Sequence, residues 1–245
     1  LVDSALKRLA QMGKNDGSWL IAAIEGAQAS HGTGRNDPGW FHPSAFGNEC
    51  DAFHAFRYLG APAIQNIEPR LQRVFDYGND REGYLQQYTA KAGISLIKTN
   101  KDRRIEIPHL HIRGELDNWV ENPITKKRYV IDYKTMRSDL WKNLTEVTQS
   151  HFLQLHPYQF AKETYLGYVL YENKDTQELK VMPSDFNGVI WQTKIVDRIE
   201  KILKKLDKNA VDRTPVRCSS CPFFANGVCT SNQIADLKKA SGLYE

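Results

Sequence analysis

The chain of 245 residues lacks any uninterrupted apolar run approaching the length of a membrane span, which argues against a transmembrane helix. Internal repeats and low-complexity segments are also missing, so a repeat array is set aside; one substantial core with additions at both ends is expected. No signal peptide is visible, which points to a cytoplasmic setting and away from a disulfide framework. The first residue is Leu, so an initiator methionine, at the least, is expected to precede it. Strong net charge is lacking too: +4 is too mild to establish nucleic-acid binding by itself. The basic residues cluster instead, at Lys98 to Arg104, at Lys126-Lys127-Arg128 and at Lys201 to Lys208. Each cluster is a candidate phosphate path or simply a solvated face. What remains is ordinary for a globular protein, 41% hydrophobic and 25% charged.

Against that plain background one constellation stands out. Gly114-Glu115-Leu116-Asp117 is followed, across the turn-like stretch Glu121 to Lys127, by Tyr129-Val130-Ile131-Asp132-Tyr133-Lys134. If Leu116 to Val120 and Arg128 to Asp132 pair as an antiparallel hairpin, Asp117 falls opposite Asp132. Alternation along the strand then puts Val130, Asp132 and Lys134 on one face. Two carboxylates and an ammonium would converge, a pattern suited to magnesium or manganese, which take one or two carboxylates plus waters and substrate phosphate. Such a cation acidifies a water and neutralises phosphate charge. A neighbouring lysine can orient that water, or deprotonate it if its pKa is lowered. The Asp-x-Lys tripeptide alone is common, and a solvated surface hairpin would carry it equally well. Downstream, Gln154 and Tyr158 lie one helical turn apart, with Pro157 tolerable if the helix begins near it. Upstream, Phe75 to Glu82 opens a helix with acidic groups on its first turns.

Taken in order, these motifs resemble the PD-(D/E)XK nuclease superfamily, in particular its RecB-like exonuclease branch. The resemblance implies an α/β fold, a mixed central sheet flanked by helices. It implies that Asp117 and Asp132 hold the metal, with the Tyr133 carbonyl and Glu82 as further ligands. Glu82 stands where many members of that branch carry histidine. Lys134 would serve the nucleophilic water, and Gln154 and Tyr158 would position the DNA strand.

The four cysteines form a second signal: Cys218 and Cys221 in a Cys-x-x-Cys, Cys229 shortly after, and Cys50 far upstream. A metal or cluster site competes with a disulfide, a redox motif and buried thiols. Four thiolates suit zinc and iron–sulfur alike. One cysteine before the core and three after it resemble the [4Fe–4S] clasp of CRISPR-associated and AddB-type nucleases, which would pin the tail onto the N-terminal helices. The segment from His42 to Gly60 resembles viral and CRISPR-associated members as well, which allows a viral source acting in a host cell. Asp51-Ala52 departs from the basic residue many relatives carry after the first cysteine.

Periodicity predicts helices over 2–12, 17–29, 48–59, 68–91, 151–165 and 189–206. Strands are predicted near 94–98, 104–109, 111–120, 128–134, 167–173 and 178–182, with a loop from Gly32 to Gly39. His109 and His111 would share a strand face in a surface role; His151 and His156 are read as loop or cap residues that could touch DNA. Trp119, Trp141, Tyr165, Tyr168, Tyr171 and Trp191 are expected in or beside the core. The organisation expected is an N-terminal helical segment over 1–66, a nuclease core over 67–206 and a cysteine-rich tail over 207–245. The functional expectation is a metal-dependent DNA exonuclease in recombination, repair, replication or CRISPR-type processing, acting with a helicase, recombinase or integrase. The alternative is a non-catalytic or partner-dependent DNA-binding subunit stabilised by zinc.

Overall fold

The computed structural model describes residues 18–28, 37–63, 68–216, 218–225, 227–230 and 233–244. The helix predicted over 2–12 and most of the loop from Gly32 to Gly39 lie outside the described residues. Helix α1 (Ser18–Gln28) precedes α2 (Asp51–Tyr58) and the long α3 (Pro69–Lys91). Strands β1 (Arg104–Ile107), β2 (Ile112–Glu115), β3 (Asn118–Glu121) and β4 (Arg128–Met136) follow. Helix α4 (Gln149–Ala161) leads to β5 (Gly167–Asn173) and β6 (Leu179–Pro183). Helical turns then run on from 188 to 207 as α5, and α6 (Ile234–Ser241) ends the chain.

The centre is β4, whose run of β-branched and aromatic residues is buried on both faces. It pairs antiparallel with β3 and parallel with β5, and β5 pairs antiparallel with β6, giving a mixed sheet of order β3-β4-β5-β6. Parallel neighbours need a crossover, and α4 is that crossover. It covers one face, where Leu153, Leu155 and Tyr158 join Val130 and Val169 in the main core. The opposite face carries Val120, Ile131 and Tyr133, with Leu85 of α3 packed on them. None of the 23 residues of α3 is fully buried, so polar side chains do much to hold it to the sheet.

Several elements differ from the sequence reading. The stretch 111–120 is not one strand: β2 pairs only with β1 in a separate two-stranded sheet, and β3 starts afresh in the main one. The break falls at Leu116 and Asp117 because Arg103 grips it twice. Leu116 N–H donates to the Arg103 carbonyl at 2.9 Å, and Arg103 Nε donates to the Leu116 carbonyl at 3.0 Å. The strand predicted near 94–98 shrinks to a single bridge between Ser95 and Val120. His109 lies in a tight turn and His111 adopts a left-handed φ of 52°, so they do not share a strand face. Helix α3 starts at Pro69, which puts Gly78 and Glu82 in mid-helix rather than on its first turns. Helix α4 starts at Gln149 and contains Pro157, sacrificing one backbone bond while its buried residues keep it docked. Within α5, Trp191–Val196 takes the wider π form.

Helix α2 meets α5 and the cysteine-rich tail. Asp51 at the start of α2 accepts from Arg198 Nε at 2.7 Å and pairs with Lys201 Nζ at 3.0 Å on α5. That accounts for an acid after Cys50. Phe223 of the tail packs on Phe53 and Phe56, with centroids 5.7 and 5.6 Å apart. Tyr171 is fully buried and Trp191 nearly so, whereas Tyr165 is 73% exposed and outside the core. Among the described residues no helix is long and apolar enough to cross a membrane.

Candidate active site

The site grows from the register of β3 on β4. Asn118 faces Ile131 and Trp119 faces Val130, so one step back Asp117 arrives beside Asp132, just ahead of the first β3 residue. There its Oδ2 accepts from the Tyr133 backbone N–H at 2.7 Å. The break at Leu116 therefore aims the carboxylate across the sheet. Asp132 is 1% exposed on the central strand. Gln154 Nε2 donates to its Oδ1 at 3.0 Å. The Lys134 ammonium sits 2.7 Å from Oδ2. The ammonium is the charge partner of Oδ2, and Lys134 Nζ also donates to the Tyr133 carbonyl at 3.3 Å.

Glu82 comes in from α3, held by Arg103 Nη2 at 2.7 Å and by Gln86 Nε2 at 2.7 Å. Arg103 thus ties the helix bearing Glu82 to the break bearing Asp117. A second clamp beside it joins Arg81 to the buried Glu172 of β5. Gln154 and Tyr158 project from the same face of α4, one helical turn apart. Tyr158 is only 3% exposed, with its hydroxyl within the field of Asp117, Asp132 and Glu82. Gly114 makes room for it: a Cβ there would meet Pro43 Cδ at 2.8 Å and Tyr158 Cε1 at 3.2 Å.

The electrostatics follow from crowding acids in a dry place. Burial, reinforced by the charge of Asp117 and only partly offset by Lys134, pushes the Asp132 carboxyl up to about 7. Burial and then Asp117 raise Glu82 as well. Burial disfavours the charge on Lys134, but Asp132, Asp117 and Glu82 outweigh it and hold the ammonium above the usual lysine value. In the metal-free protein Lys134 is therefore held as an ammonium, a cation and a donor rather than a base. A crowded cluster of buried acids suits a divalent cation. Among the described residues no three histidine, cysteine or acidic side chains form a ready-made cage. Magnesium does not need one, since waters and substrate complete its shell.

A second locus lies away from this one. Cys50, Cys218, Cys221 and Cys229 all line one cleft of about 540 Å³, alongside Phe53, Phe56 and Arg213. All four are free thiols. Arg213 Nε donates to the Cys229 carbonyl at 2.7 Å, and burial raises the Cys229 thiol pKa.

Sequence reasoning missed Arg103, Arg81 and Glu172, because ion pairs between distant segments leave no spacing signal. The basic clusters are partly spoken for: Lys126 and Arg128 pair with Glu121, Arg104 with Glu115, and Lys201 and Lys205 with Asp212. His156 is fully buried, its Nδ1 against the Phe152 carbonyl and its Nε2 accepting from Asn187 N–H, so it does not reach the surface.

A family model described as the PD-(D/E)XK nuclease superfamily matches residues 49–229. Among solved structures, the crystal structure of an alkaline exonuclease (LHK-Exo) from Laribacter hongkongensis is similar at 11% identity and a TM-score of 0.49. That match covers 76% of this chain and 92% of the other. LHK-Exo in complex with dAMP is similar at 12% identity and a TM-score of 0.48, over 69% and 91% of the two chains. The crystal structure of SSO0001 is similar at 18% identity and a TM-score of 0.44, over 85% and 93%. No curated protein matches the sequence.

Proposed function

The chain belongs to the PD-(D/E)XK nuclease superfamily, and on that premise we propose that it is a metal-dependent DNA exonuclease of the RecB-like branch. The observation that carries the reading is the meeting of Asp117, Asp132 and Lys134 at one point, with Glu82 beside them. Asp117 and Asp132, with the Tyr133 carbonyl and Glu82 as further donors, would hold magnesium or manganese. When bound, such a cation supplies an acidified water and a sink for the charge that builds on the phosphate. Lys134, kept cationic, orients that water and offsets phosphate charge. Gln154 fixes the Asp132 carboxylate through Oδ1. Tyr158 then supports the DNA strand from beneath, its burial keeping it from direct contact in this conformation.

The four cysteines around one cleft support a structural [4Fe–4S] clasp that joins the tail over 207–245 to the N-terminal segment over 1–66, with the nuclease core between them. A role in recombination, repair, replication or CRISPR-type processing follows from that reading, in a bacterial cell or in the host of a virus. A helicase, recombinase or integrase is the expected partner.

The test is digestion of single- and double-stranded DNA labelled at either end, with magnesium or manganese, beside Lys134→Ala. Metal-dependent loss of nucleotides from an end, abolished in the variant, is the expected result. Intact DNA after treatment with anaerobically prepared protein would overturn the proposal.

A further inference from the structure

His151 opens the second turn's approach to Gln154 on α4, yet the chemistry above makes no use of it. Its Nδ1 lies 2.9 Å from the hydroxyl of Tyr171, a fully buried residue of β5 whose register partner on β4 is Lys134. Thr148 N–H donates to the same hydroxyl oxygen at 3.3 Å. A backbone N–H can only donate, so the Tyr171 oxygen accepts there and its own proton is free to point at His151 Nδ1. An imidazole accepting at Nδ1 carries its proton on Nε2. Among the described residues none hydrogen-bonds Nε2, and the residue is half-buried. Burial, and after it the charge of Lys134, lowers the His151 pKa to about 4, so the ring stays neutral across the physiological range.

A neutral imidazole is locked in one tautomer by a buried tyrosine and sits within the field of Lys134, with no partner on its donor nitrogen among the described residues. We propose that His151 is a substrate-contacting residue, whose Nε2–H donates to a non-bridging phosphate oxygen of the strand held at Lys134, and that Tyr171 is its positioning residue. The alternative, a histidine that merely fills space beside Tyr171, predicts no dependence on the donor. This inference rests on the nuclease reading and deepens it: recognition of the phosphodiester would be shared between a cation at Lys134 and a neutral donor at His151. A neutral donor suits a site already rich in charge, because it adds direction without adding a second cation.

The experiment compares wild type, His151→Leu, His151→Gln and Tyr171→Phe in metal-dependent cleavage of end-labelled DNA, with thermal unfolding of each. DNA affinity is measured in parallel by fluorescence anisotropy in calcium. One hydrogen bond to a charged group corresponds to a loss of about ten- to a hundredfold in kcat/KM for His151→Leu. His151→Gln, whose amide carries a donor near the Nε2 position, should recover most of it. Tyr171→Phe should fall between, since it frees the tautomer without removing the ring. Wild-type kcat/KM in His151→Leu, or equal losses in the Leu and Gln variants with unchanged unfolding temperature, would overturn the donor role. The nuclease reading fails separately: a wild type that cuts nothing, yet binds DNA about tenfold or more tightly than His151→Leu and no better than His151→Gln, would defeat catalysis and uphold the contact. If neither cleavage nor DNA binding is seen in wild type, both fall.

Discussion

Replacing Asp132 by Asn should make the metal-free protein more stable while destroying its chemistry. Asp132 is 1% exposed, shares its surroundings with Asp117 and Glu82, and has its carboxyl raised to about 7 by burial. An unfolded aspartate titrates near 3.9, so below about pH 3.9 both states are protonated and the folded state is unpenalised. As pH rises through that window, the unfolded state ionises first and stability drains from the fold, the whole penalty being present above about pH 7. At about 1.4 kcal/mol per unit, the penalty is roughly 4 kcal/mol at pH 8 and roughly 1–2 kcal/mol at pH 5. Asparagine carries no charge and its Oδ1 still accepts from Gln154, but its amide meets the Lys134 ammonium less well than a carboxylate. The expected gain is therefore about 2–4 kcal/mol at pH 8, shrinking toward about 1 kcal/mol at pH 5. The assay is urea unfolding of both proteins in excess chelator at the two pH values. An Asp132→Asn protein less stable than wild type at pH 8 would show that the Lys134 pair outweighs desolvation. A gap that does not narrow at pH 5 would refute the electrostatic origin.

Two further outcomes follow from packing and from the thiols. Gly114→Ala drives a methyl against Pro43, whose ring cannot swing aside, and against Tyr158. Overpacking of that kind costs about 1–3 kcal/mol, and roughly 2–4 °C in Tm for each kcal/mol, with activity falling further because Tyr158 shifts; an unchanged Tm would sink the argument. If the cysteine cleft holds an iron–sulfur cluster, Cys221→Ala should bleach visible absorption and lower Tm, and a colourless, zinc-loaded, fully active wild type would rule the cluster out.

The mixed α/β class of the fold was legible in the sequence, and so was the approach of two of the proposed site residues. Alternation on β4 and one short turn were enough to bring Asp117 toward Asp132, because strand register is set by which residues must face the core. The register of Asn118 on Ile131 extends to that same pair. The break between β2 and β3 was not legible, since it depends on Arg103 reaching from another segment to the Leu116 carbonyl. Nor was the interior position of Pro157, where burial of Leu153, Leu155 and Tyr158 overrides a local penalty that sequence reasoning counted in isolation. The direction of the Lys134 pKa depended on three carboxylates from three elements, and no spacing rule encodes that sum. Four cysteines, by contrast, were visible as a set from composition alone, and they border one cleft.

Calorimetric titration of manganese into chelator-stripped wild type and Asp132→Asn, with end-labelled DNA present, tests the central claim most directly. The account predicts a saturable site in wild type that Asp132→Asn loses, together with cleavage that begins only as the site fills. Equal manganese binding by both proteins would contradict it, because the cation would then be held somewhere other than between Asp117 and Asp132.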